Sequence, residues 1–278
     1  MHRPGKSLII ALIAVLLAII GIWLWFIPNG YFGITSTIGY TFCHQDPARS
    51  PHAFGHTLAL CYRCMGLFSG ILIGAIWQIG QRKNARFTSK PILVFGGLAL
   101  LFYAFDGLNA SFLPELLSLK PLYQDQTWIR MLSGLLLGNA VAMVVIPLFN
   151  RVFYANYNET PLAEGIFRKF GVAVSDGLVL FVFFNGLELL MMAVNTMAIL
   201  TSLGILVLLY TMLTTVILKQ NNLFHSLSEG WYLFLLGGII TMLQIGVITF
   251  LRYNLTGTWG WPFIETGVPG LPFDSTGL

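Results

Sequence analysis

An all-α polytopic membrane bundle of about seven crossing helices is the fold class this sequence predicts, and three observations predict it. Charged residues make up only 9% of the 278, against roughly 25% in soluble globular domains. Hydrophobic residues reach 56% and mean hydropathy is +0.77, so the solvent must be a bilayer. Apolar runs of about 20 residues, the length that crosses ~30 Å of hydrocarbon, recur between short polar and basic segments. The formal net charge of +4 is scattered over those segments as topology signals are. That pattern excludes nucleic acid as a partner and leaves the lipid bilayer.

The first predicted span runs from Leu8 to Ile27. No small-residue cleavage site follows it, so it reads as a retained span rather than a secretory leader. Trp23, Trp25 and Phe26 close it at headgroup depth, and Pro28-Asn29-Gly30 ends the helix. A second span is expected from Cys61 to Ile79, with Gly66, Gly70 and Gly74 on one face, where another helix can approach closely. The basic loop QRKNARFTSK follows it. The third span, Pro91 to Leu108, ends in Asp106-Gly107, and a polar connection with Pro114, Pro121 and Asp125 leads to the fourth, Thr127 to Phe149. Gly134, Gly138 and Ala142 give that helix its own close-packing stripe. The apolar stretch from Phe170 to Leu218 is too long for one crossing and predicts two spans hinged near Asn195. A last span, Gly230 to Leu251, leaves a Gly/Pro/Trp-rich tail.

This division places a four-span unit in residues 1–150, three further spans in 151–251 and an extracytoplasmic tail in 252–278. With the N-terminus inside, the inner segments hold Arg3, Lys6, Arg82, Lys83, Arg86, Lys90, Arg151, Arg168, Lys169 and Lys219. The outer ones hold Arg49, Arg63, Lys120, Arg130 and Arg252. Ten against five favours N-in, C-out in the cytoplasmic membrane of a prokaryote. Residues 43–66 then face outward. Most of the seven tryptophans fall at span ends or in the tail, as interfacial anchors do, among them Trp259 and Trp261.

Residues 43–66, CHQDPARSPHAFGHTLALCYRCMG, hold all three cysteines together with His44, His52, His56 and Arg63. The pattern Cys-His-Gln-x-Pro-x-Arg-Ser, a spacer, then Cys-x-Arg-Cys-x-Gly comprises Cys43, His44, Gln45, Pro47, Arg49, Ser50, Gly55, Cys61, Arg63, Cys64 and Gly66. Asp106 follows after an apolar span, and Arg130, Gly134 and Gly138 open a glycine-rich one. Over residues 40–147 this resembles an uncharacterised family of bacterial and archaeal multi-pass membrane proteins. The resemblance implies a membrane protein and singles out those residues. It implies no reaction, because that family has no established activity, and it leaves the last three spans aside.

The residue types point first to a metal. Cys61 and Cys64 have the C-x-x-C spacing of a tetrahedral knuckle, and Cys43 supplies a third thiolate. The fourth ligand is a histidine. His44 adjoins Cys43 and shares its ion only if a turn bends the backbone, whereas His56 and His52 have no such difficulty. A zinc-like ion is the first choice and an iron–sulfur cluster the second. The alternative is thiol–disulfide exchange by Cys61 and Cys64 in a quinone-linked membrane oxidoreductase, with the helix N-terminus and Arg63 lowering a thiol pKa. A relay of that kind needs a second cysteine pair, and only Cys43 remains. A plain disulfide pinning an outer loop, Cys61 to Cys64 or Cys43 to Cys61, is the structural alternative. Whether the protein is an enzyme stays open.

Charges within apolar spans cost roughly 2.5–3.5 kcal/mol on insertion scales, so partners are expected. An outer polar cluster is predicted in which Asp106 pairs with Arg130 or Arg63 beside the cysteines, with Arg49 nearby. Asp176, and Asn185 with Glu188 three residues apart on one helical face, supply the reading as a transporter or channel. Met191, Met192, Met197 and Met212 read as packing residues, since no histidine accompanies them.

Overall fold

Eight helices carry the chain in the computed structural model, which describes residues 5–28, 30–78, 83–86, 90–109, 120–124, 126–159 and 166–259, without the side chains of 166–169. Arg3, Arg82, Pro114, Asp125, Glu164, Trp261 and the tail from 260 onward lie outside the described residues, as do the side chains of Arg168 and Lys169. In order, α1 is Lys6–Phe26, α2 Gly30–Phe42, α3 Tyr62–Ile76, α4 Lys90–Gly107, α5 Thr127–Phe153, α6 Ile166–Phe184, α7 Glu188–Ile217 and α8 Trp231–Thr256. Five of them, α1, α4, α5, α7 and α8, are long and apolar enough to cross a membrane, and α3 and α6 contain shorter apolar helices. A two-stranded antiparallel hairpin, β1 His52–Ala53 with β2 His56–Thr57, lies between α2 and α3.

The two glycine stripes find each other. A Cβ at Gly66 would fall on the carbonyl oxygen of Met131, and one at Gly70 on that of Leu135. In return, a Cβ at Gly134 would fall on Arg63 O and one at Gly138 on Leu67 O. Residue numbers rise together along the contact, so α3 and α5 run parallel, backbone against backbone, with α4 as the return stroke. Side chains at these positions would hold the helices apart, which is why the sequence keeps them small.

One end of the bundle is sealed by loop pairing. Ala85 N donates to Asn158 O at 2.8 Å, Asn158 N to Lys83 O at 2.8 Å, and Ala155 N to Phe224 O at 2.9 Å. These bonds gather the segments that follow α3, α5 and α7. Stacked Phe149, Phe153 and Phe224 lie beneath them, the Phe153–Phe224 centroids 4.6 Å apart. The other end carries α2, the hairpin and the cysteines.

Four expectations need correction. The break in the long apolar stretch lies at Asn185-Gly186-Leu187, not near Asn195, because Gly186 takes a left-handed φ of 60° that ends α6. Length alone had placed the hinge too far along. Asn195 is buried within α7, where its Nδ2 donates to Tyr31 Oη at 3.1 Å. Asn185 and Glu188 consequently flank a break and share no helical face. Residues 30–42, which carried no expected element, form α2, with Gly33, Thr35, Thr37, Ile38, Gly39 and Tyr40 buried. Finally, α5 runs on through Pro147 to Phe153 and α8 to Thr256, each past its expected end.

Candidate metal centre

Two pieces of backbone, the end of α2 and the start of α3, deliver the cysteines. Cys43 follows the last residue of α2, Cys61 is the N-cap of α3, and Cys64 sits in the first turn of α3. Their sulfur atoms all lie within 4.8 Å of one another, and all three thiols are free. Neither disulfide of the structural alternative is formed. Cys43 and Cys61 are buried, and Cys64 is half-buried.

The turn required after Cys43 is present. Gln45 has a left-handed φ of 58°, which folds the chain back on itself. Its buried side chain then holds the fold, Nε2 donating to Ser36 O at 2.7 Å and to Ala59 O at 3.0 Å. One amide thus ties α2 to the segment that leads into Cys61. The same turn aims Gln45 N at Cys43 Sγ at 3.4 Å, and Cys61 N donates to that sulfur at 3.2 Å. Such donors favour an anionic sulfur. Asp46 caps the following turn, Pro47–Arg49, through Ala48 N at 3.0 Å, and pairs with Arg49 at 3.2 Å.

His44 Nδ1 stands 3.9 Å from Cys43 Sγ, on the exposed side of the cluster. His56 does not reach it. Its ring lies on Phe32, centroids 4.3 Å apart, where strand β2 meets α2. His52 is exposed on β1. Of the candidate histidines, the structure thus brings His44 beside Cys43 and gives His56 a packing role.

The Cys43 thiol is pushed up to about 12, first by its hydrogen bond with Cys61, with burial adding to the effect. Arg63, expected to stabilise the thiolate, is directed elsewhere.

Arg63 enters the outer polar cluster. Its Nε donates to Asp106 Oδ2 at 3.0 Å and its Nη2 to the same oxygen at 2.5 Å. Asp106 is wholly buried and also accepts from Tyr123 Oη at 2.7 Å and, weakly, from Ser133 Oγ at 3.5 Å. Of the two expected pairings, Arg63 with Asp106 forms. Arg130 is buried one turn before Gly134, its carbonyl oxygen accepting from Ser133 Oγ at 2.9 Å. Asp106 thus bridges α4, the segment after it and α3, directly behind the C-x-x-C pair.

Three contacts from the second half of the chain escaped sequence reasoning. Arg252 at the end of α8 lies over the Tyr40 ring at 3.4 Å, and its Nη1 donates to Tyr40 O and, at 3.2 Å, to Cys43 O. Glu188 Oε2 accepts from Phe54 N at the hairpin tip at 3.0 Å. Tyr31 Oη donates to Met192 O at 3.1 Å. No local motif marks these residues. The one available signal was their polarity at the ends of apolar runs.

Comparison with known proteins adds the following. A family model described as "Predicted membrane protein (DUF2085)" matches residues 43–144. An uncharacterised protein of Methanocaldococcus jannaschii is 30% identical over 117 residues, 41% of this chain and 68% of its own. No solved structure matches.

Proposed function

Because the chain belongs to this family of predicted membrane proteins of unknown function, we propose that it is a metal-binding membrane protein in which Cys43, Cys61, Cys64 and His44 hold a zinc-like ion. The carrying observation is the convergence of three sulfurs within 4.8 Å, brought together from the end of α2 and the start of α3. Tetrahedral thiolates at ~2.3 Å from zinc stand about 3.8 Å apart, so loading asks for a contraction of about 1 Å or less. His44 Nδ1, 3.9 Å from Cys43 Sγ, supplies the fourth ligand in this reading. Amide donors to Cys43 Sγ support the anionic ligand such an ion demands.

The ion's role in this reading is structural: it fastens α2, the hairpin and α3 at one end of the bundle. The positive-inside count puts that end on the extracytoplasmic face of a prokaryotic cytoplasmic membrane, with seven spans, N-in and C-out. The four-span unit through about residue 150 carries the site, and the three spans beyond it brace it.

Elemental analysis of purified protein tests the reading. About one zinc per chain is expected, with thiols that label only after chelation. Iron with visible charge-transfer absorption would replace zinc by an iron–sulfur cluster. A metal-free protein whose Cys61 and Cys64 cycle between thiol and disulfide would overturn metal binding in favour of a membrane thiol oxidoreductase.

A further inference from the structure

Away from the cysteines, the middle of the bundle holds a second polar pair. Asp176 of α6 is 7% exposed and Asn139 of α5 is 1% exposed. Asn139 Nδ2 donates to Asp176 Oδ2 at 2.8 Å. The other oxygen of each group, Asp176 Oδ1 and Asn139 Oδ1, is buried without a hydrogen-bond partner. Two orphaned acceptors on a pair of hydrogen-bonded side chains are costly wherever water is excluded, and more so inside a bilayer.

Other charges offer no relief. The helices packed on α6 are α3, α5 and α7. On α3, Arg63 is paired with Asp106, and Tyr62 meets Phe183 edge to face. On α5, Arg130 and Arg151 lie nine and twelve residues from Asn139, about 13 and 18 Å along the axis. On α7, Glu188 is engaged at the hairpin tip, and Tyr210 donates to Gln244 at 2.6 Å. Arg168 and Lys169 open α6 itself, seven or more residues from Asp176, or about 10 Å and beyond.

We infer that Asp176 and Asn139 form a proton-binding site within the membrane, a neutral carboxyl–carboxamide pair closed by two reciprocal hydrogen bonds. One proton on Asp176 Oδ1 satisfies both orphans at once, because the hydroxyl it creates donates to Asn139 Oδ1. The second bond is the one already present, from Asn139 Nδ2 to Asp176 Oδ2. Uptake of the proton cancels the carboxylate charge and latches α6 to α5. Release leaves a charge with a single donor between two helices. The α5–α6 contact is therefore proton-dependent, and Asp176 is the chain's exchange point for protons at that depth.

Infrared spectroscopy of the full chain in phospholipid vesicles tests this. At neutral pH the protein is expected to show a protonated-carboxyl C=O band that vanishes in Asp176→Asn and moves in Asn139→Ala. Asp176→Asn keeps the shape of the pair. If that variant fails to fold, carbon-13 labelling of aspartate in the unaltered protein must move the band. No such band at neutral pH, a band that survives Asp176→Asn, or one that carbon-13 leaves in place would overturn the inference. Loss of the band on adding sodium or potassium at constant pH would also overturn it, because the site would then take a metal cation.

Discussion

Arg63 stands between two metal-ligand candidates yet serves a third residue, and that division of labour organises the residue scale. Asp106 has no exposure and receives both Nε and Nη2 of Arg63 on one oxygen. Removing one member of a buried pair leaves an uncompensated charge, at a cost of about 3 kcal/mol or more. Arg63→Ala is therefore expected to lower stability by about that amount in denaturant titrations of the solubilised protein. Arg63→Lys, which cannot donate twice in one plane, should recover only part of the loss. The cysteines should answer to pH. A metal ion must displace the proton that keeps Cys43 neutral up to about 12, so uptake should release protons and apparent affinity should fall on acidification. Competition with a chromophoric chelator across the neutral range measures both. Cys43→Ser should abolish stoichiometric zinc, whereas His56→Ala, at a ring packed on Phe32, should leave it nearly intact.

Between elements, the parallel α3–α5 contact decides where the site can stand. Gly134 meets Arg63 O, one residue before Cys64, so a methyl group there pushes on the knuckle itself. Gly134→Ala is expected to cost about 1–3 kcal/mol and to weaken metal retention. Gly97→Ala, with nothing within 4 Å of the added carbon, should do neither. Thermal unfolding with elemental analysis of each variant checks the pair. The glycine stripes themselves were legible in the sequence because their four-residue spacing is a one-dimensional signal. Their mutual engagement was not, since any two such stripes on a membrane protein are candidates. The same limit governs the long apolar stretch. Its length required two helices, but the break rests on one left-handed residue, Gly186, and hydropathy does not register it. Helix α2 was hidden for the opposite reason: its run of Gly, Thr and Tyr lacks an apolar stripe, and packing against α7 and α8 sustains it.

Taken whole, the molecule has a sealed end and a chemically equipped end. The loops after α3, α5 and α7 close the first, and the sulfurs, His44 and Asp106 occupy the second. If that second end faces out, a membrane-impermeant maleimide should label chelated protein in intact spheroplasts. Labelling restricted to broken cells would reverse the orientation. The cysteine triad could be read from sequence because its members lie within about 20 residues of one another, joined by a spacing with known chemistry. What holds the triad could not, since Glu188, Met192 and Arg252 belong to the second half of the chain and meet it only through folding. The grip of Arg252 on the carbonyls of Tyr40 and Cys43 has a further consequence. The family match ends at residue 144, so in this protein Cys43 leans on a splint more than a hundred positions beyond the shared region. Any shorter relative must steady that corner by other means, and a fragment trimmed to the common length would lose its brace before it lost a single sulfur.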